Sequence, residues 1–181
     1  ALPEDGYQGE YMVELAQEIK TAYGDKFMQM PEDQAIVELG HLGLTYMVDT
    51  AKTDMKDLRV EYDNWFTENS LYSGGQFDRA MTLLQDGGYL NQREGATWFM
   101  STALGDENDK VFVRSTGAPT YFATDVAYHY NKFFERHFDK VIDILGADHQ
   151  GHVPFMKVVP KALGIHPERL ELKIYQLVTL K

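Results

Sequence analysis

The sequence predicts an α/β protein, on three observations. Val141-Ile142-Asp143-Ile144-Leu145 is a short apolar run that reads as a buried strand and ends in Gly146-Ala147-Asp148-His149. A helical pattern over about 149–164 and an alternating run over 170–178 follow, completing a strand-helix-strand unit. Upstream lie two stretches with helical periodicity and several short runs rich in β-branched and aromatic residues. A strand that passes through glycine and an acid into a helix is how open α/β sheets build ligand crevices at the carboxyl ends of their strands.

Taken in order, residues 9–22 predict a helix with Tyr11, Met12, Leu15, Ala16 and Ile19 on one side. Pro31 opens a second helix in its first turn, followed by Glu32 and Asp33, whose charges suit the positive end of the helix dipole. That helix is expected to reach about Lys56, with Ile36, Leu39, Gly43, Met47 and Ala51 as its apolar stripe. Gly40 and Gly43 within it each cost on the order of 1 kcal/mol against alanine, which close packing on a neighbour would explain. Residues 59–66 predict a strand leading into a polar loop, and 74–86 a helix stopped at Gly87-Gly88. Tyr89-Leu90, Ala96–Met100 and Val111–Arg114 predict a small antiparallel patch with glycine-containing turns. A helix over 123–136 then leads to the strand at 140–145. The pattern divides the chain into a helical part over 1–58, a mixed segment with small strands over 59–116, and the strand-helix-strand part over 117–181.

Composition excludes several classes. The apolar fraction of 44% and charged fraction of 25% are those of an ordinary globular protein, and no apolar run approaches the roughly 18–20 residues of a membrane span. No basic-then-apolar leader opens the chain, so a signal peptide is not expected. With no cysteine there is neither a disulfide nor a thiolate metal site. A net charge of −11 argues against a broad grip on phosphate backbones.

The densest polar chemistry lies between Gly117 and Pro154. Tyr121 and Asp125 stand four residues apart and share a helix face. Taken alone, Asp125 could be no more than an acid near a helix N-terminus, and Glu68 a solvated loop acid. Gly146 could be only a turn residue and Asp148 only an N-cap. His149 and His152, three apart, could contribute to a zinc site, although no further distant ligand stands out. His41, His129, His137 and His166 suggest surface or capping roles.

Four segments carry a resemblance. PEDGYQGEYMVELAQEI at 3–19, VEYDNWFTENSLY at 60–72, TYFATDVAYHYNKF at 120–133 and GADHQGHVP at 146–154 follow the order and spacing of the catalytic core of arginyl-tRNA synthetases. These are class I aminoacyl-tRNA synthetases, and the segments sample most of the chain. Asn64 stands where many members carry valine. The resemblance implies a Rossmann-like catalytic domain with a helical and small antiparallel-strand insertion. It also implies ATP-dependent ligation of L-arginine to tRNA(Arg) through arginyl-adenylate, in the cytoplasm. ATP would enter as its Mg²⁺ complex, with no tightly bound metal, and tRNA is generally needed for the activation step. The His-x-Gly-His and Lys-Met-Ser-Lys-Ser signatures do not occur in the sequence, so a catalytic-domain fragment without ligase activity of its own, and without strong tRNA binding, is expected.

By the same resemblance, Tyr121, Asp125 and Glu68 would contact the arginine side chain, and His149 would lie near it or the nucleotide. Gly146, Asp148, His149 and His152 would border ATP. A guanidinium is planar, permanently charged and carries five donors in a fork, so a selective pocket needs more than one acceptor acid. Two other readings fit the sequence: a different Rossmann-type ATP-using ligase or nucleotidyl transferase, or a non-catalytic interaction module.

Overall fold

The computed structural model describes residues 9–176 and 178–179 and divides the chain into two compact units, residues 1–65 and 66–181. In the first, α1 (Glu10–Tyr23) ends at Gly24, whose φ of 59° suits glycine, and a 3₁₀ turn over Lys26–Gln29 leads to α2 (Glu32–Asp57). Pro31 sits at the cap of α2, one residue before its first turn. The inward line of α2 runs through Ala35, Leu39, Leu42, Gly43 and Ala51, while Ile36 and Met47, expected on the stripe, are exposed. Leu15 and Ala35 are the fully buried apolar side chains described here. The glycines of α2 are not demanded by packing. A Cβ at Gly43 would meet Leu15 at an ordinary 3.7 Å, and one at Gly40 would meet nothing within 4 Å.

No strand forms over 59–66. The end of α2 is closed by a Schellman pair, Val60 N–H to the Met55 carbonyl at 2.8 Å and Arg59 N–H to Lys56 at 2.9 Å, with Arg59 at a φ of 59°. The segment beyond it finds no strand to pair with among the described residues, so its alternating pattern has nothing to build on.

The second unit begins with α3 (Asn69–Ser73) and α4 (Gln76–Asp86), joined through Gly75 at a φ of 72°. Strands β1 (Leu90–Arg93), β2 (Ala96–Phe99) and β3 (Lys110–Val113) form the expected antiparallel sheet. Glu94 and Gly95, at φ 53° and 76°, make the tight turn between the first two. Helix α5 (Tyr121–Tyr130) passes into a π-helical turn over Asn131–Glu135. Then come β4 (Val141–Gly146), a 3₁₀ turn over Ala147–His152, α6 (Val153–Ala162) and β5 (Leu170–Tyr175), which pairs in parallel with β4. The helix expected from 149 therefore starts at Val153, with Pro154 at its second position, where a missing N–H costs nothing. Residue 177, within the last expected strand, lies outside the described residues, and β5 closes at Tyr175.

One core joins residues 66–116 to those after 117. Phe99, Phe112 and Phe155 form an aromatic cluster with centroids 4.7–6.2 Å apart, packed with Leu84, Val126 and Val159. β4 is not buried on both faces as its sequence suggested. Val141 is buried, but Ile142 and Ile144 face out, the latter 70% exposed, because the helices cover only the opposite face among the described residues. No helix among the described residues is long and apolar enough to cross a membrane.

Candidate functional site

Three side chains expected at the site fall on α5 or touch it. Tyr121 and Asp125 occupy successive turns, and the Tyr121 ring is 63% exposed. His152, at the end of the 3₁₀ turn after β4, donates from Nε2 to Asp125 Oδ2 at 2.6 Å. Its ring lies 5.4, 5.3 and 5.1 Å from the rings of Tyr121, Phe122 and Phe155, and its side chain is only 13% exposed. One oxygen of Asp125 is thereby held by a donor that the aromatic packing fixes. Among the described residues no hydrogen bond engages the other, Oδ1.

The residues at the end of β4 gather separately. Gly146 pairs with Tyr175 and is followed at once by the turn carrying Asp148 and His149. Both are exposed, with His149 Nε2 3.6 Å from Asp148 Oδ2. Asp148 makes no N-cap hydrogen bond. Its carboxylate folds over Gly146, where a Cβ would run into it, though an exposed side chain can swing away. His149 and His152 do not converge: one meets Asp148 and the other Asp125. Among the described residues no three His, Asp or Glu side chains are grouped to hold a metal ion.

Glu68 stands apart. It is exposed, just before α3, and among the described residues no hydrogen bond or ion pair links its carboxylate to Asp125 or Tyr121. A neighbour on its helix does reach α5: Tyr72, four residues on, lies 2.7 Å from Thr124 Oγ1. Thr124 donates to the Thr120 carbonyl at 3.2 Å, so the Tyr72 hydroxyl is the donor of that pair.

Beneath this group lies a cluster that the sequence does not announce. His129, expected in a surface or capping role, is buried, 2% exposed. Its Nδ1 donates to the backbone carbonyl of Asp125 at 2.7 Å, and its Nε2 faces Asp143 Oδ2 at 2.7 Å. Lys132 donates to the second oxygen of Asp143 at 2.7 Å. For Asp143, burial pushes the carboxyl pKa up, but the hydrogen bond and charge of His129 and the Lys132 ammonium outweigh it and hold the group at about 2. Both ring nitrogens of His129 thus face oxygen atoms, one on its own helix and one on β4. Two features of the sequence, neither used in its reading, could have found it: Asp143 is a lone acid in an apolar run, and His129 lies one more turn along the face of Tyr121 and Asp125. A cavity of about 380 Å³ lined by Arg79, Leu83, Tyr130 and Phe134 among others shares no residue with these groups.

What the arrangement can do is bind a cation against a fixed acid and an open aromatic face, beside a glycine-acid turn at a strand end. The comparisons with known proteins concern the chain as a whole. The model for the catalytic domain of class I tRNA synthetases (R) matches residues 25–178. An arginine–tRNA ligase of Dehalococcoides mccartyi is 57% identical over 181 residues, all of this chain and 33% of that protein. One from Geobacillus kaustophilus is 44% identical over 179 residues, 99% of this chain and 32% of that protein. The chain thus spans about a third of the length of these curated relatives. A solved Campylobacter jejuni structure assigned as an arginyl-tRNA synthetase superposes with a TM-score of 0.86 at 32% identity, over 98% of this chain and 38% of that one. The Thermus thermophilus arginyl-tRNA synthetase, at 17% identity, shares the fold with a TM-score of 0.69 over 97% of this chain and 37% of its own.

Proposed function

The chain belongs to the class I tRNA synthetase (R) catalytic-domain family, and from that premise we propose that the protein carrying it joins L-arginine to tRNA(Arg) with ATP. In the first step an oxygen of the arginine carboxylate attacks the α-phosphorus of ATP. The bond to the bridging oxygen of the β-phosphate breaks, and pyrophosphate leaves. In the second, a terminal ribose hydroxyl of tRNA attacks the acyl carbon, loses its proton and displaces AMP. Neither step needs a strong acid or base. Alignment of the reacting groups and stabilisation of phosphate charge carry the rate. Mg²⁺ arrives with ATP as part of the substrate.

This chain's share is recognition of the amino acid and one wall of the nucleotide site. Asp125, its Oδ2 held by His152, offers Oδ1 to a guanidinium N–H, and Tyr121 offers its exposed ring to the flat cation. Glu68 would supply a second acceptor when arginine draws it in. Gly146 lets the ribose approach the backbone, Asp148 accepts from ribose hydroxyls, and His149 lies beside them. His152 borders both groups. With a net charge of −11, tRNA is gripped mainly by surfaces other than this chain's. The reaction takes place in the cytoplasm, where such tRNA is used.

The observation that carries this reading is the Asp125–His152 bond beside the open Tyr121 ring. The test is Asp125→Ala in the protein that carries this chain, measured by arginine-dependent exchange of pyrophosphate into ATP with tRNA present. Removing the acid that faces a buried charge is expected to lower kcat/KM for arginine about 10²- to 10³-fold. Wild-type kinetics in a folded variant would overturn the assignment.

A further inference from the structure

Asp125 is gripped at both ends. His152 holds its carboxylate, and the His129 ring holds its backbone carbonyl. Through Asp143, His129 ties that carbonyl to β4, the strand whose last residue is Gly146. Lys132, three residues after His129, anchors the other Asp143 oxygen, so two side chains of the α5 end converge on one carboxylate of the neighbouring strand. A buried ion group is a poor choice if only stability matters, because an apolar packing of similar volume does as well without the desolvation penalty. Directional hydrogen bonds, by contrast, fix register. They set where along its axis α5 stands against β4.

We propose that His129, Asp143 and Lys132 form a positioning device that fixes the arginine-facing acid, Asp125, relative to the carboxyl end of β4 where the nucleotide is bound. This rests on the function proposed for the site. None of the three touches a substrate; they act through Asp125. Loosening the device lets α5 drift against β4, so arginine is held less well while the β4 turn itself stays intact.

The test uses the protein that carries this chain, with KM for arginine, KM for ATP and kcat taken from pyrophosphate exchange, and thermal melting alongside. Asp143→Asn keeps the shape and removes the charge. It is expected to raise the arginine KM about 10-fold and leave the ATP KM within about twofold. Asp143→Glu keeps the charge but displaces the carboxylate, and is expected to raise the arginine KM as well while staying folded at the assay temperature. Should the Asn variant not fold, the Glu variant decides. A purely structural role predicts a loss of active enzyme with both KM values unchanged, and that result overturns the proposal. So does a parallel rise in both. Asp125→Ala run in the same series separates the two levels. If it impairs arginine use while both Asp143 variants bind arginine normally, the positioning role alone fails. If Asp125→Ala is itself without effect, both fail.

Discussion

Asp143 brings a carboxylate into a layer where only 12% of its side chain meets solvent, and its ionisation makes stability depend on pH. Its folded pKa, about 2, lies below the ordinary 3.8. A depressed carboxyl contributes stability that is fully present above its unfolded value and disappears as pH falls through the folded one. The window is therefore from about pH 4 down to about pH 2, and the shift corresponds to about 2 kcal/mol. Chemical denaturation at pH 5 and pH 2 should show wild type losing about 2 kcal/mol more than Asp143→Asn over that interval. Glu171, held low by Lys140 and Lys173, titrates in both proteins and cancels from the difference. Parallel losses would show that the His129 and Lys132 contacts do not favour the charged form. At this scale, Tyr121 and Asp125 were legible because their spacing on a helix is a local fact. The partners of Asp125 were not. His152 lies 27 residues away and Asp143 14 residues from His129, distances that only the fold closes.

Elements followed their local signals wherever those signals were complete. The Gly87-Gly88 and Gly164 stops were read correctly, and each closes its helix with glycine at positive φ. The small antiparallel sheet formed because Glu94-Gly95 supplies a tight turn between runs able to pair. The strand expected at 59–66 failed because a strand is a relation to a partner, which a single run of residues cannot reveal. The stripe of α2 was read one position off at Ile36 and Met47, since apolar residues occur on both sides of that helix. Gly40 in α2 bears a direct prediction. With open space where its Cβ would be, Gly40→Ala should raise chain stability by about 0.5–1 kcal/mol in urea unfolding. A loss of stability would mean that this face packs against something closely.

For the molecule as a whole, four ordered segments told more than any composition. They implied the family to which the match over residues 25–178 assigns the chain, although the chain spans about a third of its curated relatives. The division of the chain was less legible. The compact units part at Trp65 and Phe66, because the aromatic core of Phe99, Phe112 and Phe155 draws 66–116 together with the strand-helix-strand part. The acidic net charge and the paired grip on Asp125 both suit the proposed function, in which this chain would read a cationic amino acid and leave the nucleic acid to other surfaces. The most direct measurement compares arginine with citrulline, its uncharged near-isostere, in competitive calorimetric binding to the protein that carries this chain, wild type and Asp125→Asn. Wild type should prefer arginine by at least about 10²-fold, and the Asn variant should lose most of that preference. A variant that still rejects citrulline as strongly as wild type would contradict the claim that Asp125 is the anion that reads the guanidinium.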